Sequence, residues 1–320
     1  MKAIVYEKYG PPEVLQLKEV EKPVPRDHEV LVKVYAASIN SWDWDLVRGK
    51  PVFFRFWGLF KPKYQIPGAD IAGRVEAVGD KVTLLQPGDE VFGDLCACGW
   101  GGFAEYVCVP ENVLAMKPAG MTYEQAAAIP QAAVMAIQGI RDYGRVKPEQ
   151  TVLINGAGGG VGTFALQMAK YFGAEVTGVD STRKLETMRS IGADRVIDYT
   201  REDFTKNRQL YHLILDVAAY HSIFDYMHAL YPGGKAVIVG GSPARIFQTL
   251  IMGPFISMAG TKKVRILAHK PNRDLAFLNE LFEAGKIKPV IDRRYTLGEV
   301  PEAFRYFGKG HTRGKIVITV

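Results

Sequence analysis

Apolar and polar residues alternate with a period of two along Val30-Leu31-Val32-Lys33-Val34-Tyr35-Ala36 and along Gly73-Arg74-Val75-Glu76-Ala77-Val78. That is the spacing of strands with one face in a core and one toward water. Pro67-Gly68 and Pro87-Gly88 read as turns between such runs. With the Val, Gly and Pro richness of the first 110 residues, they predict a small, mostly β domain. From Thr122 the texture changes: residues 124–144 are rich in alanine and read as helix, broken near Pro130. Beyond them, short apolar runs at 151–154, 175–179, 195–197, 212–215, 236–239 and 264–268 read as buried strands. Most are separated by helix-length segments such as 161–171 and 182–191. Strands alternating with helices predict a parallel sheet covered on both faces, because parallel neighbours need long crossovers. The gap from 239 to 264 carries no clear pattern, and helices at 272–284 and 300–307 precede a last strand at 315–320.

A length of 320 residues agrees with two domains, since single cores are commonest near ~150 residues. With 48% hydrophobic and 23% charged residues the chain is neither disordered nor collagen-like. No apolar stretch approaches the roughly 18 residues of a membrane span. The opening Met1-Lys2-Ala3-Ile4-Val5-Tyr6-Glu7 lacks the apolar segment of a signal peptide and reads as a strand, so a cytoplasmic protein is expected. The net charge of +6 arises from cations interleaved with acids, which suits a solvated surface or a local phosphate site; no nucleic-acid partner is expected. Cys96, Cys98 and Cys108 are too few for a disulfide framework, and Cys96-Ala97-Cys98 has no second pair to complete a metal site. They read as reduced, structural thiols.

The strongest local signal is Val152-Leu153-Ile154-Asn155-Gly156-Ala157-Gly158-Gly159-Gly160-Val161-Gly162, a strand running through a glycine cluster into a helix. Such a turn presents bare N–H groups and a positive dipole end to a pyrophosphate, with no side chain in the way. In the register from Gly156 the G-x-G-x-x-G pattern fails, since Val161 takes the last place; shifted by one it reads Ala157, Gly159 and Gly162, with Gly160 and Val161 between. Asp180 lies 18 residues beyond Gly162, the place of an acid that favours NAD by accepting from the ribose. Ser181, Arg183, Lys184 and Tyr199 crowd the same turn and suit a 2′-phosphate. The expected cofactor is NADP, with NAD left open.

Taken together, these residues resemble the medium-chain dehydrogenase/reductase superfamily, and within it the zinc-free quinone oxidoreductase branch. The likeness covers nearly the whole chain, through Met1-Lys2-Ala3-Ile4, Gly10-Pro11-Pro12-Glu13-Val14-Leu15 and Ile66-Pro67-Gly68-Ala69-Asp70-Ile71-Ala72-Gly73-Arg74-Val75. It continues in Pro87-Gly88-Asp89-Glu90-Val91-Phe92-Gly93, Gly101-Gly102-Phe103-Ala104-Glu105-Tyr106-Val107, the glycine turn and Arg313-Gly314-Lys315-Ile316-Val317. The resemblance implies an α/β protein: a GroES-like β domain of residues 1–121 and 269–320, and a Rossmann doubly wound parallel-sheet domain of residues 122–268, with the cofactor in the cleft between them. Zinc relatives carry a Cys at the place of Asn40, a His at Ala69 and a Cys or acid near Gln131; none of these is a zinc ligand here, and no metal is expected. Asp70 and Glu76 read as structural acids.

Without zinc, the implied reaction is hydride transfer to an already activated acceptor, a small apolar quinone or α,β-unsaturated carbonyl. Asn40 is the candidate to orient the substrate or the nicotinamide ribose. The resemblance places the backbone of Gly240 and Gly241 near the nicotinamide and Lys315 near the phosphates. Related enoyl reductases carry a tyrosine where this chain reads Val47-Arg48-Gly49-Lys50-Pro51, which argues against an acyl-thioester reductase; Tyr64, further on, and solvent remain as proton sources. The apolar run at 52–60 reads as a lid over the substrate or as a membrane contact, and Trp42 and Trp44 as pocket wall or core. A homodimer is expected by analogy. The rival reading is a protein that binds NADPH without turnover, in a structural or regulatory role with a protein or nucleic-acid partner.

Overall fold

The alternating run near the N-terminus forms a strand, but a longer one than the alternation marks, Glu29–Ile39. Over residues 36–39 both faces are buried, so the period-two signal vanishes where the strand is most enclosed. The structure is a computed structural model and describes residues 1–51, 55 and 58–320. Most of the 52–60 run, read as a lid or membrane contact, lies outside the described residues.

The chain forms two compact units, one of Met1–Val134, Pro271–Glu283 and Ile291–Val320, the other of Met135–Lys270 and Ala284–Val290. In the first, β1 (Lys2–Val5) and β2 (Gln16–Glu19) make an antiparallel pair. The main sheet takes β3 (Glu29–Ile39), β4 (Asp70–Val78), β5 (Glu90–Asp94), β6 (Tyr106–Pro110) and β7 (Ala115–Met116) from the early chain. The second unit is built on β8 (Thr151–Asn155), β9 (Glu175–Asp180), β10 (Arg195–Asp198), β11 (Tyr211–Asp216), β12 (Leu230–Ile238) and β13 (Lys263–Ile266). The chain then returns to the first unit with β14 (Ile291–Thr296) and β15 (Lys315–Thr319).

The first sheet runs β14-β15-β3-β4-β5-β7, with β6 on β3; β15 lies antiparallel to β3 and parallel to β14. Val30, Val32, Val34, Ile71, Val75 and Val91 fill one core, while Ala37, Ile39, Phe103, Phe304, Ile316 and Ile318 fill another. The helix Tyr123–Ala127 belongs to this unit and packs across β3 and β4. β14 was not anticipated: its sequence is half polar because it forms the sheet's outer edge.

The second sheet is wholly parallel in the order β10-β9-β8-β11-β12-β13, the doubly wound arrangement in which the strand order reverses between β8 and β11. Ligands of such sheets bind beyond the carboxyl ends of the strands at that reversal. The unassigned stretch after β12 forms a helix, Pro243–Ala259. Its large apolar side chains stand outside, on Phe247, Leu250, Ile251, Phe255 and Met258, and its buried residues are Thr249 and Gly253. Met252 and Ile256 pack inward against the sheet core, so the helix is apolar on both faces and offers no polar face to set a period. Among the described residues no helix is long and apolar enough to cross a membrane.

Candidate functional site

In the second unit β8 ends at Asn155 and the chain turns sharply at Gly156, whose φ is +80°. The N–H groups of Gly156 and Ala157 both donate to the carbonyl of Val179, at 2.9 and 3.1 Å, which ties the turn to β9. The helix Gly160–Tyr171 then starts from Gly159, which offers no capping side chain. The first-turn N–H groups of Gly160, Val161 and Gly162 have no carbonyl one turn back to bond, so they are donors left for a ligand. A Cβ on Gly162 would lie 2.1 Å from the Gly156 oxygen, and one on Gly158 2.6 Å from Cβ of Lys184. These two positions admit no side chain as the turn stands. Ala157, at the first place of the pattern, is fully buried.

Asp180 closes the turn from the side. Its Oδ2 accepts from the N–H of Gly158 at 3.0 Å, its Oδ1 from the N–H of Ser181 at 2.8 Å, and Nζ of Lys184 lies 3.3 Å from Oδ1. Asp180 and Lys184 are both buried. The carboxylate read as a ribose acceptor is thus engaged in holding the glycine loop, and Lys184 in neutralising it. Arg183 is exposed on the short helical turn Thr182–Lys184, and Tyr199, whose N–H donates to the carbonyl of Asp180, is exposed as well. Asp180, Ser181, Lys184 and Tyr199 are therefore brought together around the end of β9.

Gly240 and Gly241 follow β12. The Ala219 N–H donates to Gly240 O at 3.0 Å, and a Cβ on Gly241 would lie 2.3 Å from the Ala219 nitrogen. Sequence reading missed the polar cluster beside them: Asn155 Nδ2 donates to Asp216 Oδ1 at 2.9 Å, and Tyr226 Oη donates to Asp216 Oδ2 at 2.7 Å. It sits where the strand order reverses, and the available signal was two polar residues each ending an apolar strand. Burial pushes the Asp216 carboxyl upward, against the pull of these hydrogen bonds.

In the first unit the strand ends gather a second buried cluster. Asp70 Oδ2 accepts from Asn40 Nδ2 at 2.9 Å and from Ser38 Oγ at 3.2 Å, and Lys315 Nζ lies 3.3 Å away. The Lys315 ammonium also donates to Asn40 Oδ1. Asp70 Oδ1 accepts from the Gln131 N–H at 3.1 Å, and Gln131 Nε2 donates to Asp94 Oδ2 at 3.4 Å. Both ends of the Asn40 amide, and the ammonium of Lys315, are therefore committed within this network. The places of the zinc ligands in related enzymes hold an amide, a methyl group and an amide, with the Lys315 ammonium against Asn40 and Asp70. This donor set does not fit a zinc ion. Glu76, by contrast, pairs with Lys22 at the surface.

Asp43, on the helix Ser41–Arg48, accepts from the Asn40 N–H at 2.9 Å through Oδ2, while among the described residues its buried Oδ1 has no hydrogen-bond partner. Burial pushes its carboxyl up to about 8, opposed by that N–H bond and assisted by Asp70. Burial likewise raises Asp70 to about 6, with Lys315 pulling it down and Asp94 pushing it up. Both folded values exceed the ordinary 3.8, so the native chain holds protons that the unfolded chain releases. Their stabilising contribution is complete below pH about 4 and is lost as pH rises toward about 8. Asp43→Asn is expected to flatten this decline, read as denaturant midpoints between pH 5 and 8; an unchanged slope would refute the assignment.

Tyr64 is half-buried, with its ring centroid 5.4 Å from that of Trp100. Trp44 packs on Phe304 and Phe307 and belongs to the core margin. The three cysteines are unpaired, and burial pushes the Cys96 thiol far above the range in which a thiolate forms.

Comparison with known proteins accords with both halves of this description. A family model described as an alcohol dehydrogenase GroES-like domain matches residues 26–119, and one described as a zinc-binding dehydrogenase matches residues 191–318. The chain is 34% identical to a 2-methylene-furan-3-one reductase of Solanum lycopersicum, over 99% of its own length and 79% of the relative's. It is 33% identical to a chloroplastic NADPH-dependent alkenal/one oxidoreductase of Arabidopsis thaliana, again over 99% and 79%. The solved quinone oxidoreductase from Coxiella burnetii has a TM-score of 0.89 at 28% identity, covering 100% of this chain and 99% of that one.

Proposed function

The chain belongs to the quinone oxidoreductase branch of the medium-chain dehydrogenase/reductase superfamily, and from that membership we propose that it reduces small apolar quinones or enones with NADPH, without a metal. The observation that carries the reading is the helix mouth at Gly160, Val161 and Gly162, an uncapped row of N–H donors reached through a turn that excludes side chains. NADPH, when bound, supplies the hydride. The helix mouth holds the pyrophosphate, and Asp180 fixes the shape of the loop through Gly158. Ser181, Arg183 and Tyr199 flank the place of the 2′-phosphate, and Lys184 balances Asp180 there.

A quinone or enone already has an electrophilic carbon, so the protein needs to orient the acceptor and stabilise charge on its oxygen. Asn40 acts as a positioning residue, since its amide is held from both ends, and Tyr64 is the candidate donor to the oxygen. Purified protein is expected to oxidise NADPH in the presence of some quinones or alkenals, at a rate unchanged by a strong chelator. Arg183→Ala is expected to weaken NADPH by about 10-fold and NADH little. Tight NADPH binding without turnover on any acceptor would sink the enzymatic reading and leave a structural one; loss of activity on zinc removal would sink the metal-free one.

A further inference from the structure

Asp216 is a buried acid to which the proposed hydride transfer gives no task. It is 0% exposed at the carboxyl end of β11, and donors from three parts of the second unit converge on it. Tyr226 Oη, on the helix Ile223–Ala229, donates to Oδ2 at 2.7 Å. Asn155 Nδ2, at the end of β8, and the N–H of Ala218 both donate to Oδ1 at 2.9 Å. Burial pushes the carboxyl up, and these bonds pull it back. An apolar side chain would end a buried strand at less cost in desolvation, so the strand's own stability does not call for a carboxylate here.

What the carboxylate shapes is the segment that follows it, a ledge from Val217 to Ala219. One end is tied to β8: the Val217 N–H donates to the Asn155 carbonyl at 3.0 Å, and Asn155 Nδ2 donates to the Ala218 carbonyl at 3.2 Å. The other end is tied to the loop after β12, where the Ala219 N–H donates to the Gly240 carbonyl and the Ser242 N–H to the Ala219 carbonyl at 2.9 Å. Ala219 is fully buried, whereas Val217 and Ala218 are half-buried and Gly241 is exposed. The ledge also abuts the glycine turn, since a Cβ on Gly156 would lie 3.4 Å from the Cβ atoms of Val217 and Ala218. One carboxylate thus sets the register between the glycine turn, the ledge and the Gly240–Gly241 loop.

The topology of the sheet determines which half of a dinucleotide meets this ledge. Such a ligand lies across the reversal of strand order, with one mononucleotide over each half of the sheet and the pyrophosphate between them at the helix mouth. The acid after the second strand, here Asp180 at the end of β9, marks the adenosine side. The β11–β12 side is left to the nicotinamide, and the ledge stands there, on the strand next to the glycine turn.

We propose that Asp216 is a positioning residue for the nicotinamide half of the cofactor, acting through the Val217–Ala219 ledge that it holds with Asn155 and Tyr226. This rests on the reading of the second unit as an NADPH site. The network supplies rigidity rather than contact: a buried set of satisfied hydrogen bonds keeps the ligand-facing backbone in one conformation before the cofactor arrives.

The test compares NADPH with 2′-phospho-ADP-ribose, which lacks only the nicotinamide ring. Asp216→Ala is expected to weaken NADPH about 10-fold or more, and Tyr226→Phe, which removes one O–H and keeps the ring, about 5-fold. Binding of 2′-phospho-ADP-ribose should change by less than about 2-fold in both. The fluorescence of bound NADPH, which comes from the nicotinamide, should fall toward that of the free cofactor. Asp216→Asn should stay near the parent, since its Oδ1 still accepts from Asn155 and Ala218 and its Nδ2 can donate to the Tyr226 oxygen. Circular dichroism establishes which variants are folded; should Asp216→Ala fail to fold, Tyr226→Phe decides alone. Equal weakening of the two ligands would overturn the proposal in favour of a purely structural carboxylate. So would undiminished NADPH affinity in folded Tyr226→Phe, or an Asp216→Asn loss as large as that of Asp216→Ala. A parent protein that shows this split but turns over no acceptor refutes the reductase reading alone, and one that binds neither ligand refutes both.

Discussion

Gly162→Val is expected to lower NADPH affinity by two orders of magnitude or more, about 2.7 kcal/mol, in a protein that still folds. Even the first atom of the new side chain would fall 2.1 Å from the Gly156 carbonyl oxygen and 2.6 Å from Cα of Ala157. Strand end and helix start must then part, which moves the N–H groups of the first turn away from their common focus. Those donors act together with the helix dipole, so their displacement removes several charge-assisted contacts at once. The overpacking itself costs ~1–3 kcal/mol of stability, so circular dichroism must accompany the binding titration. Gly120→Ala is the matched control, because nothing lies within 4 Å of its added methyl group and binding should not change. A folded Gly162→Val protein with undiminished NADPH affinity would refute the assignment of the helix mouth.

The second large effect is expected at Lys315→Met. The side chains of Lys315 and Asp70 are 2% and 0% exposed, so removing the ammonium strands a carboxylate in the first unit's interior. Breaking a buried pair in this way costs ~3–5 kcal/mol, most of it the desolvation of the partner left behind. Asp70→Asn/Lys315→Met should recover much of the loss, since a neutral amide replaces the stranded charge. The single variant's deficit should also shrink in acid, because Asp70, already raised to about 6 with its partner present, would take up a proton. Urea midpoints of the four proteins in the cycle decide the matter, and a loss below ~1 kcal/mol would show that the pair is not what holds these strand ends.

What the sequence made legible followed from the strength of local patterns. The six parallel strands and the glycine turn announce themselves, because the strands carry short runs of apolar, buried residues and glycine breaks the first of them at the turn. β14 did not, since an edge strand with exposed arginines has no period to detect. The helix Pro243–Ala259 did not, since it is apolar on both faces and Pro254 interrupts its interior. At the site, the glycines could be read because their conformation is local. The partners of Asn40 and Lys315 could not, because these residues meet only through the pairing of β15 with β3. Asp180 was read by its spacing as a ligand contact, and its bond to Gly158 adds a role in shaping the loop that spacing alone could not reveal.

The way β15 lies between β14 and β3 bears on how the chain is made. Its two neighbours in the sheet are separated in sequence by the whole of the second unit. On the ribosome, residues 135–270 emerge complete and can assemble on their own schedule. The Ala36–Ile39 end of β3, however, waits without its β15 partner, and Asp70 without its counter-charge, until Lys315–Thr319 has been translated. During that interval the early strands are the part of the nascent polypeptide most in need of a chaperone.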